Sequence, residues 1–285
     1  MEMNILTFDI EEWFHILDNP ETKGVSEWSR FESRIHQNME TIFNILQANN
    51  QKATFFCVGW IAEKYPEIIR KIVNSGFEIG SHTHYHQLVY EQSPLEFEKD
   101  LIKSIDILES VSGQKIKYFR APGFSITNET PWALESLIKN GIEIDCSLFP
   151  TERSHGGFNN YGKAEPVWIE CAGMKIKELP INLHSILGKE IVFSGGGYFR
   201  LFPYRMIKNF TRKSDYVMTY FHPRDFDANQ PMVPGLSMVR KFKSYYGLKS
   251  TESKLTNWLK DFEFIDINSA NKRIDWINAR NLKMN

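Results

Sequence analysis

The 285-residue chain carries 34 Lys and Arg against 35 Asp and Glu, a formal net charge of −1 at pH 7. That balance gives no bulk pull toward nucleic acid or an anionic membrane surface. With 42% hydrophobic and 14% aromatic residues the chain can bury a sizeable core, which excludes wholesale disorder.

Asn4–Asp9 is short, apolar and β-prone, and reads as a first strand ending in a carboxylate. Ser29-Arg30-Phe31-Glu32 has the pattern of a capping box opening a helix, with Phe31, Ile35, Met39, Ile42, Ile45 and Leu46 at helical spacing to about Asn49. Ala53–Val58 reads as a buried strand, Pro66–Ser75 as a helix closed by Gly76, and Phe77–Ser81 as a strand running into a histidine cluster. Ser93, Pro94 and Glu96 predict a strong helix start, with Phe97, Leu101, Ile105 and Leu108 inward and a stop near Gly113. Ile116–Arg120 and Ile142–Asp145 read as strands flanking a helix over Thr130–Asn140.

Strands and helices alternate with short connections, the pattern of a parallel sheet, and about seven such units predict an α/β fold of the (β/α) barrel type, complete or distorted. Pro150–Gly197 breaks the rhythm with Gly, Asn and Pro and two short strands, Val167–Glu170 and Lys175–Leu179. It reads as an insertion around 150–200. Tyr216–His222 restores a strand, Ser250–Phe262 a helix, and Phe264–Ile267 a late strand. No repeat or linker composition divides the chain, so a single domain over 1–285 is expected, with a C-terminal extension around 237–285. Cys57, Cys146 and Cys171 are odd in number and form no CxxC pair, which argues for buried thiols over a disulfide or zinc–thiolate site. The N-terminus lacks a basic and apolar leader and no apolar run reaches 18 residues, so no membrane span and a cytoplasmic address are expected.

Ionisable residues gather where the predicted strands end: Asp9, Glu11 and Glu12, then His82, His84 and His86, then Arg120, Asp145 and His222. In a (β/α) barrel those ends converge on one face. His82 and His86 are four apart and would face one way if the chain turned helically after the strand. Two histidines and a carboxylate make a catalytic divalent-metal site, Zn²⁺ or a similar ion. Asp9 and Glu11 share one side of an extended segment while Glu12 points elsewhere. His84 reads as the odd histidine out.

Thr7-Phe8-Asp9-Ile10-Glu11-Glu12-Trp13-Phe14, Ser81-His82-Thr83-His84-Tyr85-His86, Arg120-Ala121-Pro122-Gly123-Phe124 and Phe221-His222-Pro223 resemble, in order and rough spacing, the NodB-type polysaccharide deacetylases, carbohydrate esterase family 4. Ser194-Gly195-Gly196-Gly197-Tyr198-Phe199-Arg200-Leu201 is similar to a signature of the branch found with exopolysaccharide and exosortase clusters. The resemblance implies a distorted (β/α) barrel and metal-dependent N-deacetylation. It implies Asp9 as base, His82 and His86 as metal ligands, Arg120 as the group orienting the base, and His222 as general acid. The family commonly has two adjacent aspartates, and Ile10 stands at the second. In the branch resembling peptidoglycan deacetylase-like and allantoinase-like proteins the ligand lies two residues after the base, which assigns that role to Glu11. Thr219 stands where the family often has Leu, a position read as packing.

The implied cofactor is one divalent ion, zinc first among the candidates. The implied partner is an N-acetylated sugar or glycan. A backbone N–H near Gly123 could hold an oxyanion, and Trp13, Phe14, Phe124, Tyr198 and Phe199 could stack on sugar rings. Asp145, Asp225 and Asp227 are each candidates to support His222. An allantoinase-like cyclic amide hydrolase and a non-catalytic glycan-binding barrel are the competing readings. An open aromatic groove would favour glycan, and a small closed pocket a heterocycle. Two copies could pair through the Gly-rich insertion into a homo-oligomer.

Overall fold

The computed structural model describes residues 2–17, 19–151, 156–158, 161–186 and 188–284. In chain order its strands are β1 (Met3–Ile5), β2 (Thr7–Ile10), β3 (Thr54–Cys57), β4 (Glu78–Ser81), β5 (Tyr118–Phe119), β6 (Ile144–Asp145), β7 (Val167–Cys171), β8 (Met174–Glu178), β9 (His184–Ile186), β10 (Lys189–Ile191), β11 (Tyr216–Met218) and β12 (Asn281–Met284). The α-helices are α1 (Ile35–Asn49), α2 (Gly59–Lys64), α3 (Pro66–Asn74), α4 (Pro94–Ser112), α5 (Pro131–Lys139), α6 (Gly196–Leu201), α7 (Tyr204–Arg212), α8 (Met238–Tyr245), α9 (Thr251–Asp261) and α10 (Ile267–Arg273).

An eight-stranded sheet runs β12-β7-β8-β6-β5-β4-β3-β2, parallel except for the β7–β8 hairpin. Single parallel bridges, Phe8 with Phe221 and Ile5 with Ile265, carry the pairing beyond β2, and β1 pairs with β11. This is an α/β fold with a mostly parallel central sheet. Among the described residues no ladder joins β8 to β11. Side chains meet across that gap, where Tyr216 Oη donates to the Pro180 carbonyl at 2.7 Å and Met218 N–H to Asn182 Oδ1 at 3.0 Å. The segment expected as an insertion supplies β7 and β8 and is built into the main sheet.

Alternation along the strands sets two apolar layers. Phe8, Ile10, Phe55 and Cys57 pack against helix residues such as Met39, Ile42 and Phe97. Phe56, Ile144, Cys146, Leu179 and Met218 form the other cluster. Cys57, Cys146 and Cys171 are all free and buried. Among the described residues no helix is long and apolar enough to cross a membrane.

The predicted start of α4 holds: Ser93 and Glu96 form a reciprocal capping box, and Gly113 ends the helix at φ +70°. The predicted start of α1 does not. Ser29 lies in a 3₁₀ turn, and α1 opens at Ile35 with no local side-chain cap. The cap comes from Glu12 instead, whose carboxylate accepts the N–H groups of Arg34 (3.1 Å) and Ile35 (3.2 Å) and the Ser33 hydroxyl (2.5 Å). A negative charge at a helix N-terminus satisfies orphan donors and meets the positive end of the dipole. Phe264–Ile267 is not a strand: only Ile265 bridges, and Asp266 caps α10 through the Ser269 N–H at 2.7 Å.

Asp145 on β6 lies opposite Glu178 on β8, both fully buried. Ser147 Oγ donates to Asp145 Oδ1 at 2.5 Å, and Leu148 N–H to Glu178 Oε1 at 3.0 Å. Burial, and then the Asp145 charge, push the Glu178 carboxyl well above its usual 4.5. The folded chain therefore retains a proton that the unfolded chain releases, and stability falls as pH rises above about 4.5. Glu178→Gln should flatten that decline in urea-unfolding free energy between about pH 5 and 8, by up to about 1.4 kcal/mol per pH unit. An unchanged slope would show that the pair is ionised.

Candidate metal centre

Asp9 sits in β2 and Arg120 directly follows β5. The Arg120 side chain has no solvent exposure; its Nη1 donates to Asp9 Oδ1 at 2.8 Å and to the Thr7 hydroxyl at 2.7 Å. Its Nε donates to the Cys146 carbonyl at 3.3 Å, and its guanidinium lies 4.3 Å from the Phe56 ring centroid. Thr219 is more than packing: Thr7 N–H donates to its hydroxyl at 2.7 Å, and the Thr7 hydroxyl that serves Arg120 also donates to the Thr219 carbonyl.

Glu11, His82 and His86 offer ligand atoms that all lie within 4.8 Å of one another, and all three are buried. His86 Nε2 is 2.6 Å from Glu11 Oε2. The two histidines do not converge by a helical turn. Thr83 (φ +62°) and His86 (φ +52°) adopt left-handed backbone, a strained state for a β-branched residue of the kind that concentrates at functional sites. Asp100 of α4 anchors this loop by accepting the N–H groups of His84 (2.6 Å) and Tyr85 (2.9 Å). His84 turns away, its Nε2 3.2 Å from Glu63. His82 Nδ1 is 2.7 Å from the Arg120 carbonyl, which can only accept, so this nitrogen carries the proton and Nε2 keeps its lone pair. The donor set of two imidazoles and one carboxylate fits a divalent ion with positions left open for ligands.

His222 faces this trio from the far side, its Nε2 3.9 Å from Asp9 Oδ2 and 4.0 Å from Glu11 Oε1. Of the three aspartates weighed for its support, Asp225 takes the role. Its Oδ2 lies 3.1 Å from His222 Nδ1 and accepts the His222 N–H at 2.9 Å. Asp227 instead pairs with Arg34 at 2.5 Å, and Asp145 with Glu178. Burial alone would raise the Glu11 carboxyl, but the His86 and His222 rings outweigh it and hold it well below the usual carboxylate range. Burial depresses His82 to about 4, and lowers His222 as well, so both rings favour the neutral form that binds metal or accepts a proton.

A cavity of about 670 Å³ opens beside Glu11 and His222, with Tyr198, Tyr220, Phe242 and Tyr246 among its lining residues. Tyr198 is 49% exposed there, as a sugar-stacking residue needs to be. Trp13 corrects its expected role: it is buried at 3% exposure among Phe14, Trp28, Val233 and Leu236, its Nε1 donating to the Glu32 carbonyl at 2.8 Å. Phe124 is also buried, edge-on to Tyr220, and Phe14 and Phe199 are core residues. Gly123 has φ +62° in the turn after Arg120, and the next N–H, that of Phe124, is already donated to the Ala121 carbonyl at 3.0 Å. Two neighbours of the centre escaped the sequence reading. His15, four residues after Glu11, stacks its ring 5.7 Å from that of His86. Arg200 ion-pairs with Asp225. The i, i+4 spacing of Glu11 and His15 was a usable signal.

Residues 18–141 match the family model described as polysaccharide deacetylase. That stretch is similar to a polysaccharide deacetylase domain. Residues 146–272 match a second model, a domain of unknown function (DUF3473). His82, His86 and Arg120 lie in the deacetylase match, Asp9 and Glu11 before it, and His222 in the second match. The chain is 38% identical over 95 residues to a peptidoglycan-N-acetylglucosamine deacetylase of Bacillus cereus, covering 33% of this chain and 34% of that one. It spans about a third of the length of the curated relatives it first matches. A solved Mycobacterium smegmatis protein, provisionally described as a polysaccharide deacetylase, superposes at a TM-score of 0.64 with 20% identity, covering 95% of this chain and 89% of that one. A family 4 carbohydrate esterase of Streptomyces lividans does so at 0.50 with 11% identity, covering 93% and 91%. These structural likenesses establish the α/β fold.

Metal uptake tests the Glu11–His82–His86 centre directly. Calorimetric titration of chelator-treated protein with Zn²⁺ should give about one equivalent bound. His82→Ala combined with His86→Ala should abolish that binding while the far-UV circular dichroism stays unchanged.

Proposed function

We propose that the chain is a metal-dependent hydrolase that removes acetyl groups from an N-acetylated amino sugar in a glycan or glycan precursor. The observation that carries this reading is the placement of Asp9, locked by Arg120, and His222, backed by Asp225, around the Glu11–His82–His86 trio. An ion held there, zinc being the one expected, would supply Lewis-acid chemistry, polarising an amide carbonyl and acidifying a water.

The chain's own residues supply the rest. Asp9 takes the proton of the attacking water as the carbon–oxygen bond forms. Arg120 keeps the Asp9 carboxylate aimed by a charge-assisted hydrogen bond. The proton Asp9 has taken passes to the neutral His222 at Nε2, 3.9 Å from Asp9 Oδ2, and His222 gives it to the departing nitrogen as the carbon–nitrogen bond breaks, which returns both groups to their starting state. Acetate and a free amine result. Asp225 fixes the His222 ring so that Nε2 points at the centre. The base comes from the start of the chain and the acid from its second matched region, so both halves act as one catalytic unit.

The cavity supports glycan over heterocycle. Its volume of about 670 Å³ exceeds what a small cyclic amide needs, and exposed Tyr198, Phe242 and Tyr246 offer faces for sugar rings. Asp9→Asn should lower kcat on an N-acetylglucosamine oligomer by about 10²–10⁴-fold with metal content unchanged. Full activity in that variant would remove Asp9 as base. No acetate release by the metal-loaded wild type from any acetylated glycan, beside stoichiometric metal, would favour the non-catalytic binding barrel.

A further inference from the structure

The segment Ser194-Gly195-Gly196-Gly197-Tyr198-Phe199-Arg200 has no part in the steps above beyond Tyr198 in the cavity wall. Its backbone shows what it is built for. Gly195 bridges to Tyr220, and a Cβ there would run into the Tyr220 carbonyl. A Cβ on Gly197 would meet the Lys243 carbonyl oxygen at 3.0 Å. The glycines therefore let α6 lie wedged between the strand leading to His222 and the end of α8. One turn later this places Arg200, buried to 5% exposure, at the junction.

Arg200 spends its donors in two directions. Nη1 binds Asp225 Oδ1, while Asp225 Oδ2 serves His222. Nε donates to the Tyr246 carbonyl at 3.0 Å, and Nη2 to the carbonyls of Lys243 (2.7 Å) and Ser244 (3.2 Å). Those carbonyls are the negative C-terminal end of α8, where a guanidinium is favoured. None of the residues of α8 is buried, and polar ties hold the helix: this guanidinium at its C-terminal end, Arg240 Nη2 donating to the Leu17 carbonyl at 2.6 Å, and Tyr245 Oη accepting the Val233 N–H at 2.7 Å. Lys254 secures the α6 backbone in turn, its Nζ donating to the carbonyls of Arg200 (2.7 Å) and Phe202 (2.9 Å).

We propose that Arg200 is a positioning residue for His222, fixing the acid's ring through Asp225 and anchoring that fix on the helix that carries the aromatic cavity wall. The proposal rests on His222 being the general acid. A fork with fixed geometry holds the carboxylate rotamer, which makes the Nδ1–H tautomer of His222 the single one. The wall and the acid then form one rigid piece, so that a sugar seated on Phe242 and Tyr246 meets a His222 already aimed.

The test uses the full-length, metal-loaded chain with chitotetraose as substrate and ¹⁵N NMR of the His222 ring as a second readout. Arg200→Met should lower kcat about 100-fold with KM within about twofold of wild type, and should split the His222 signal between tautomers. Guanidinium added to Arg200→Ala should restore part of kcat. Phe242→Ala should show the opposite split, a raised KM with the tautomer of wild type. Asp225→Asn, which leaves the bonds of Arg200 to α8 in place, covers the case that the Arg200 variants misfold, and should disturb the tautomer in the same way. A wild-type tautomer in Arg200→Met, or in Asp225→Asn if the former does not fold, overturns the proposal. If the wild type releases no acetate, the deacetylase reading fails, and the tautomer measurement still decides this one.

Discussion

A guanidinium with no solvent exposure must be compensated where it stands, and Arg120 is compensated by Asp9. Leaving either charge buried without the other would cost about 3–5 kcal/mol, a large share of a domain's stability. The pair therefore fixes β2 against β5, and each of its other bonds recruits a further element. The Arg120 carbonyl orients His82 after β4, its Nε reaches the Cys146 carbonyl beyond β6, and the Thr7 hydroxyl beneath it bonds to Thr219 beyond β11. The residue that holds the Asp9 carboxylate is thus also the hub that brings the strand ends together.

The sequence made the alternation of strands and helices legible because buried strands and amphipathic helices leave strong local patterns. It also showed which strand ends carry ionisable groups. What stayed hidden was whatever depended on distant partners. Ser29 and Glu32 had the form of a cap, yet Glu12 caps α1 from the end of β2. Trp13 looked free to stack on sugar and instead seals a core beneath the centre. His82 and His86 were legible as a pair, but the left-handed backbone at Thr83 and His86 that turns them inward leaves no trace in residue type, since neither is glycine. Helix α6 was missed because its Gly-rich start blurs the helical period, and α8 because it buries no face; α7, with Ile207, Phe210 and Thr211 buried, carried a readable period that the sequence reading passed over.

The second half of the chain is less an appendage than the other wall of the site. It contributes β7 and β8 to the sheet, His222 to the centre, and α6 and α8 to the cavity. This division explains why the first half carries the compact histidine and arginine motifs while the second carries aromatic, glycine-spaced segments. The first half gathers the ligand atoms of Glu11, His82 and His86 within 4.8 Å of one another. The second presents the exposed faces of Tyr198, Phe242 and Tyr246 to the cavity.

The shared proton of Asp145 and Glu178 has a consequence for the whole molecule. The formal charge of −1 counts both carboxyls as ionised at neutral pH. A folded chain that keeps one proton between them is a unit more positive than its own composition. That proton alone draws the native isoelectric point above the 6.7 of the sequence, while the burial that depresses His82 and His84 to about 4 draws it down, so the native charge near neutrality is set by the balance between a buried carboxyl pair and buried imidazoles.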